Sequence, residues 1–299
     1  MKIVVLGRGK SGTSALLHMI VGAFPECRPV HGGFKSHARE RNRKSADPDA
    51  SFVAKFTHND RKGRSFDVLL RHIAREGYAK KIWVARDPRD NAVSDALFRW
   101  RSRHGRDRRQ FRGCLDAVER KQRDPSSVSF NEIYRWTGDP GGPQSIEEMI
   151  ESETTRYRRM CEFIGGLADD WLIFRYEDLV DQQLAGLSAY LGRDVRAEAE
   201  LPSEDRVKAR TKSYGDWRNW FVDEDVAVFE PIYSSYMNLV GYGGADWKLP
   251  EEPRIDPALA SEYMKRIASE PGARGVRRIR NRVRRLAGET AAFFARRSG

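Results

Sequence analysis

The first twenty residues limit the chain to a small set of folds. Ile3–Leu6 is a short apolar run, mostly of β-branched residues, and it ends at Gly7. Such a run is typical of a buried parallel strand. Residues 13–21 follow a glycine-rich turn and carry leucines and an isoleucine at helical spacing. A strand, a tight turn and a helix in this order predict an α/β fold.

Further strands are predicted at Phe52–Phe56, Lys81–Ala85 and Trp171–Phe174, with helical stretches between them. Strands that alternate with helices form a parallel sheet covered on both faces. One helix is expected to begin after Ser145, which makes a capping box with Glu148. We therefore expect a three-layer, P-loop-like parallel sheet flanked by helices.

The turn after the first strand reads Gly7-Arg8-Gly9-Lys10-Ser11-Gly12-Thr13-Ser14. Glycines let successive N–H groups face one point, and the next helix adds the positive end of its dipole, which together make an anion site. The pattern G-x-x-x-x-G-K-[ST] fits except that Thr13 stands where the lysine belongs. Lys10 lies before Gly12 instead. This shift favours a single 5′-phosphate over the Mg²⁺-bound triphosphate of a nucleotide kinase.

A second anion site is predicted after the strand at Lys81–Ala85. Arg86 lies at its carboxyl end, and Asp87 with Pro88 begins a helix. Open α/β sheets bind ligands at that edge. An arginine fork can grip a dianionic phosphate, and Ser94 lies about two helical turns further on. The segment therefore predicts a phosphate site.

Taken together, these motifs resemble the PAPS-dependent sulfotransferase family, in which PAPS is 3′-phosphoadenylyl sulfate. Lys10–Ser14 is similar to its 5′-phosphosulfate loop, and Arg86 with Ser94 to its 3′-phosphate motif. Residues 210–218 are similar to its R-K-G-x-x-G-D-W-K loop, and residues 176–179 to its Y-E-D-[LM] segment. The four matches occur in the family's order. Ser14-Ala15-Leu16 looks closer to the carbohydrate-directed and bacterial branches.

The resemblance implies transfer of a sulfuryl group from PAPS to a hydroxyl or amine of an acceptor, here a carbohydrate or glycolipid, without a metal. The alternative is a P-loop nucleotide kinase or NTPase, which would need a lysine after Gly12. The residues that the resemblance assigns to the co-substrate are Arg8, Gly9, Lys10, Ser11, Gly12, Thr13, Ser14, Arg86, Ser94, Tyr176, Arg210 and Lys212.

The resemblance also implies catalytic residues. Lys10 is assigned to the leaving phosphate, and Lys55 and His58 are similar to the family's K-T-H strand end, whose histidine is the general base. The spacing here is one residue longer. Lys55 and His58 can therefore keep both family roles only if the strand carries a bulge. His31 and Glu40 are the rival bases.

Charge and composition limit the partners. The chain has 299 residues and a formal net charge of +11. This charge suits a glycan, an anionic membrane or a phosphorylated co-substrate. Nucleic acid would suit it too, but binding to nucleic acid leaves the ordered motifs unexplained. Three widely separated cysteines show no ligand spacing, so we expect neither a metal site nor disulfides. Without an apolar run long enough for a signal peptide or a spanning helix, a cytoplasmic protein is expected.

The chain is divided into a catalytic domain at residues 1–248 and a linker with a basic helical segment at residues 249–299. Within the latter, Arg274–Arg297 combines an arginine-rich face with an apolar stripe. This pattern is typical of an interfacial membrane helix. A helix that docks on the body or on a partner is the open alternative.

Overall fold

The computed structural model describes residues 1–31, 51–58, 66–101, 107–138, 143–196 and 201–269. Within these ranges five strands form one parallel sheet in the order β2-β3-β1-β4-β5. The strands are β1 (Lys2–Arg8), β2 (Arg28–His31), β3 (Phe52–His58), β4 (Lys80–Ala85) and β5 (Trp171–Arg175). The predicted α/β class, with a parallel sheet flanked by helices, is confirmed.

The described helices flank this sheet. They are α1 (Thr13–Ala23), α2 (Phe66–Glu76), α3 (Pro88–Phe98), α4 (Arg108–Arg123), α5 (Phe130–Arg135), α6 (Ile146–Gly165), α7 (Tyr176–Val180), α8 (Ala185–Leu191), α9 (Ser203–Lys208), α10 (Asp223–Leu239) and α11 (Ser261–Ser269). In the described part of the chain, short 3-10 turns occur at Arg99–Arg101, Asp216–Asn219 and Pro257–Leu259.

Strand β1 is central and pairs with β3 on one side and β4 on the other. The residues of Ile3–Leu6 are fully buried, as their apolar pattern predicts. Pairing of β1 with β3 runs without interruption from Lys2 opposite Phe52 to Arg8 opposite His58. Strand β3 therefore contains no bulge.

Two apolar cores cover the two faces of the sheet. On one face, α1 and α8 pack on alternate residues of β1, such as Ile3 and Val5. On the other face, Val4 and Leu6 join a larger core with Trp83 and residues of α3, α6, α10 and α11. The helices after β1 and β4 thus leave toward opposite faces. A crevice at such a switch point is where open α/β sheets bind ligands.

The predicted helix starts are confirmed where the sequence carries capping signals. Ser145 and Glu148 form both hydrogen bonds of the capping box at α6. Asp87 accepts the N–H of Arg89 at the start of α3, with Pro88 in the first turn. These local bonds satisfy N–H groups that would otherwise lack an intrahelical partner.

The core continues past the domain boundary predicted at residue 248. Ile255, Tyr263, Met264 and Ile267 are buried in the larger core, so α11 belongs to the body of the protein. The basic segment Arg274–Arg297 lies outside the described residues. Among the described helices, none combines the length and the apolar character needed to cross a membrane.

Candidate functional site

The turn after β1 is held by close backbone packing. A Cβ at Gly7 would lie 2.7 Å from Ser11 Oγ and 2.9 Å from the Val84 carbonyl oxygen. Lys10 and Gly12 both have positive φ, at 68° and 86°. Glycine tolerates this conformation, whereas a lysine is strained there, which is common at functional turns. No side chain caps α1, so its first N–H groups face the turn without a side-chain acceptor.

The second predicted phosphate residue, Arg86, reaches this turn. It is 5% exposed, and its NH1 donates a 2.7 Å hydrogen bond to the Lys10 carbonyl oxygen. Its guanidinium also lies 4.3 Å from the centre of the Tyr176 ring. Nε and NH2 of Arg86 are buried without a hydrogen-bond partner. Two guanidinium nitrogens of the buried Arg86 therefore lack a hydrogen-bond acceptor.

A third segment brings a second arginine with the same property. Arg210 is 5% exposed, and its NH1 donates to Asp216 Oδ2 at 2.6 Å. Its Nε and NH2 are also buried without a partner. The segment is held to α3 by Asp90, whose carboxylate accepts the N–H groups of Gly215 at 2.6 Å and Trp217 at 3.0 Å.

Lys10 lies among these positive charges. Its Nζ donates to the Lys208 carbonyl oxygen at 2.7 Å and lies 4.2 Å from the centre of the Phe98 ring. Burial, with the nearby charges of Arg86 and Arg210, lowers the pKa of Lys10 to about 7. Like charges gathered in a buried site favour a bound anion, because the anion would offset the free-energy cost of desolvating them.

Tyr176 closes the turn from the side of β5. It is the first residue of α7, and its ring lies so close to Gly12 that a Cβ there would be 2.5 Å from Tyr176 Cδ2. Burial raises the pKa of the Tyr176 hydroxyl, so that it stays neutral at physiological pH. The ring of Tyr176 therefore packs against both the turn at Gly12 and the guanidinium of Arg86.

Lys55 reaches the turn from β3. Its Nζ donates to Ser14 Oγ at 2.5 Å. Burial and the charge of Lys208 lower the pKa of Lys55, although Asp205 opposes the shift. The ammonium of Lys55 is thus directed at the residue that ends the predicted 5′-phosphosulfate loop.

Other predicted residues have different surroundings. Arg8 hydrogen-bonds the Tyr157 hydroxyl and lies 3.7 Å from Glu153, so its bonds are made with α6. Ser94 is buried, and Lys212 is exposed. Their assignments to the co-substrate stay predictions. Glu40 and the side chain of His58 lie outside what the structure describes.

The remaining residues of the turn are held by hydrogen bonds within the turn and from α3. Ser11 Oγ donates to the Arg8 carbonyl oxygen at 2.8 Å, and Thr13 is buried. The Gly9 carbonyl oxygen accepts a 2.9 Å hydrogen bond from Asn91 Nδ2.

Three contributors to the site were not predicted. Asp90 and Asn91 lie on α3 between Arg86 and Ser94, and their position inside this predicted phosphate motif was a signal that could have singled them out. Lys208 carries no such signal, because its carbonyl oxygen meets Lys10 across 198 residues of chain. Among the described residues, His18, His31 and Asp205 form a group with metal-ligating chemistry.

Comparisons with known proteins give a fold likeness and no family. Neither a protein-family model nor a curated protein matches the chain. Mouse sulfotransferase SULT7A1 complexed with PAP aligns with a TM-score of 0.49 and 17% identity, covering 81% of this chain and 86% of that chain. Retinol dehydratase in complex with androsterone and inactive cofactor PAP aligns with a TM-score of 0.43 and 13% identity, covering 82% of each chain. Likeness at this level assigns no activity.

Proposed function

We propose that the chain is a sulfotransferase that moves a sulfuryl group from PAPS to a hydroxyl or amine of an acceptor. One observation carries the proposal. Arg86 and Arg210, from segments far apart in sequence, each bury two guanidinium nitrogens without partners beside the half-buried Lys10. Buried donors without acceptors cost free energy, and phosphate oxygens would satisfy them.

The roles follow from position in the fold. The turn at residues 8–14 is assigned to the 5′-phosphosulfate, since its amides and the start of α1 provide a nest for an anion. Arg86, Ser94, Arg210 and Lys212 are assigned to the 3′-phosphate. The ring of Tyr176, packed on Gly12, is assigned to the adenine.

Sulfuryl transfer is an in-line displacement in which positioning and charge stabilisation account for most of the rate. Negative charge grows on the 5′-phosphate as the sulfur–oxygen bond breaks. Lys10 and the turn amides neutralise that charge, and Lys55 at Ser14 lies next to the departing group. These cations belong to the protein, and we propose a reaction without a metal.

The alternative, a nucleotide kinase or NTPase, makes a different binding prediction. Thr13 occupies the position where such enzymes carry the phosphate-binding lysine. Calorimetry with PAP, and separately with ATP and Mg²⁺, distinguishes the two. Tight binding of PAP with weak binding of ATP–Mg²⁺, followed by transfer of labelled sulfate from PAPS, is the expected result. Preference for ATP–Mg²⁺ would reject the proposal.

We propose a glycan or lipid-linked sugar as the acceptor. Support comes from α4, where Arg108, Arg109 and Arg112 line a groove of about 630 Å³ with Trp136. Arginines attract anionic groups, and an indole ring offers a face to a sugar. A screen of neutral and anionic oligosaccharides with PAPS tests this. Transfer only to simple phenols or steroids would contradict it.

We also propose that residues 274–297 contact an anionic membrane surface. The support is the arginine-rich, apolar-striped sequence of that segment. Co-sedimentation with vesicles containing 30 mole per cent (roughly a third) anionic lipid would compare the full chain with residues 1–273, which retain α11. Equal binding of both proteins would reject the contact.

A further inference from the structure

Three side chains that lie far apart in the sequence meet beside the phosphate-binding turn. They are His18 on α1, His31 at the end of β2 and Asp205 on α9. His18 Nε2 lies 3.3 Å from Asp205 Oδ2, and the rings of His18 and His31 are 5.2 Å apart, tilted by 38°. Their nitrogen and oxygen atoms all lie within 4.8 Å of one another. The proposed binding of PAPS uses none of the three.

This cluster is connected to the sulfuryl end of the site by two lysines. His31 is opposite Lys55 in the pairing of β2 with β3, and Lys55 Nζ donates to Ser14 Oγ at 2.5 Å. Lys208 Nζ lies 2.6 Å from Asp205 Oδ1, while the Lys208 carbonyl oxygen accepts the bond from Lys10. Lys55 therefore lies between the cluster and Ser14, and Lys208 lies between the cluster and Lys10. Ser14 and Lys10 are groups that would face the leaving phosphate.

Two imidazoles and a carboxylate are a donor set that zinc can use. The surroundings oppose a dication, however. The ammonium groups of Lys55 and Lys208 flank the cluster, and Lys208 already occupies one carboxylate oxygen of Asp205. The same surroundings favour an imidazole without charge. A neutral imidazole beside a site of group transfer is suited to accept a proton.

We propose that His31 accepts the proton of the acceptor hydroxyl, and that His18, hydrogen-bonded to Asp205, positions it. This inference rests on the proposed sulfotransferase function. The acceptor oxygen forms a bond to sulfur, and the bond between sulfur and the 5′-phosphate oxygen breaks, with its electron pair leaving on that oxygen. The acceptor proton passes to the neutral imidazole of His31 and then to solvent.

The electrostatics of the cluster agree with this role. Partial desolvation, followed by the charges of Lys55 and His18, lowers the pKa of His31, while Asp205 opposes and Lys208 adds to the shift. These groups come from β3, α1 and α9, the elements around the ring. Lys208 and Lys55 hold the pKa of Asp205 below its usual value despite its burial, so it remains an acceptor for His18. The lowered pKa of His31 favours its neutral imidazole.

The uninterrupted β3 adds an independent reason. Lys55 and His58 could both keep the roles that the resemblance implies only if β3 carried a bulge between them. The pairing of β3 with β1 contains none. Lys55 bonds Ser14, so the pairing of strands places His31, rather than a later residue of β3, next to that lysine.

The test compares His31→Ala with His58→Ala. Release of PAP from PAPS is followed with water as the acceptor, and again with the best glycan acceptor from the screen, across pH 5 to 9 (about two units either side of neutrality). We expect His31→Ala to lower kcat about a hundredfold and to abolish the fall in kcat at acidic pH. In His58→Ala, the variant at the rival base, the fall in kcat at acidic pH should remain. Loss of the acid limb in His58→Ala, with His31→Ala unaffected, would overturn the inference.

Two further measurements make the outcomes distinguishable. PAP affinity, measured by calorimetry, should be unchanged in His31→Ala. If wild-type protein binds no PAP, the proposed function itself fails, whereas normal binding with an unaffected His31→Ala rate rejects only this inference. His18→Ala should move the midpoint of the acid limb upward, and an unmoved midpoint rejects its positioning role. If dialysis against a chelator lowers the rate and added zinc restores it, the cluster is a metal site and His31 is not the proton acceptor.

Discussion

Arg86 NH1 donates a 2.7 Å hydrogen bond to the carbonyl oxygen of Lys10, which joins the two predicted anion sites across 76 residues of chain. The bond uses one guanidinium nitrogen and leaves the other two buried without partners. These two nitrogens are the ones that the proposed function assigns to the co-substrate.

Replacing Arg86 should weaken PAP binding in a way that depends on geometry as well as charge. Hydrogen bonds to charged groups contribute about 1.5–3 kcal/mol, so Arg86→Ala should raise the Kd for PAP about 10- to 100-fold. Arg86→Lys keeps the charge but not the fork, and should recover only part of the loss. Calorimetry with both variants measures this. Full recovery by lysine would show that charge alone accounts for the site.

PAP binding should weaken as pH rises above neutrality, because the pKa of Lys10 is lowered to about 7 from 10.5. Bound anion favours the ammonium, so binding above about pH 7 takes up a proton, and the Kd rises at most tenfold per pH unit. Calorimetry in buffers of different ionisation enthalpy counts that proton. In Lys10→Met the affinity should be lower and the uptake absent. Proton uptake that persists in Lys10→Met would assign it to another group.

The free protein should respond to pH in the opposite direction. Between about pH 7 and 10.5 the unfolded chain holds the Lys10 proton and the folded chain does not. The contribution of Lys10 to the free energy of unfolding therefore rises with pH through this window. The increase in Tm caused by PAP should shrink over the same range.

Most of the fold was predictable because its signals are local. Buried runs such as Ile3–Leu6 and capping pairs such as Ser145 with Glu148 act over a few residues. Strand β2 was missed, since Arg28–His31 is a short edge strand with only one β-branched residue, and it contains Pro29. The predicted boundary at residue 248 lies before Ile255, which is buried in the larger core.

The site was predictable only in part. Motif residues such as Lys10 and Arg86 carry their chemistry in local sequence. Contacts that join distant segments leave no such pattern: Lys208 meets Lys10, and Asp205 meets His18, across about two hundred residues. Which polar residues converge is decided by how α9 packs over the turn, and spacing in the sequence does not encode that packing.

Asp90 should matter for PAP binding without touching PAP. Its carboxylate accepts the N–H groups of Gly215 and Trp217, which hold the segment that carries Arg210. Asp90→Ala leaves both N–H groups without this acceptor, at a cost of about 1–3 kcal/mol each where they stay buried. We expect a lower midpoint in urea and PAP binding weakened about tenfold, with Asp90→Asn intermediate. Unchanged PAP affinity in Asp90→Ala would separate the segment from the site.

A matched control for Asp90 is the exposed Glu151 of α6. Surface substitutions of this kind change stability by at most about 0.5 kcal/mol. Glu151→Gln should therefore leave both the urea midpoint and the PAP affinity at the wild-type values.

Two glycines of one helix region should respond in opposite ways to alanine. Gly12 has φ of 86°, and an added Cβ would lie 2.5 Å from Tyr176 Cδ2. Gly12→Ala therefore adds backbone strain of about 1–2 kcal/mol and displaces the Tyr176 ring, so Tm and PAP affinity should both fall. Gly22 is exposed within α1 with nothing within 4 Å of an added Cβ. Gly22→Ala should stabilise the protein by about 0.5–1 kcal/mol and leave PAP affinity unchanged. Thermal unfolding and calorimetry of the pair check this, and wild-type affinity in Gly12→Ala would remove the turn from the PAP site.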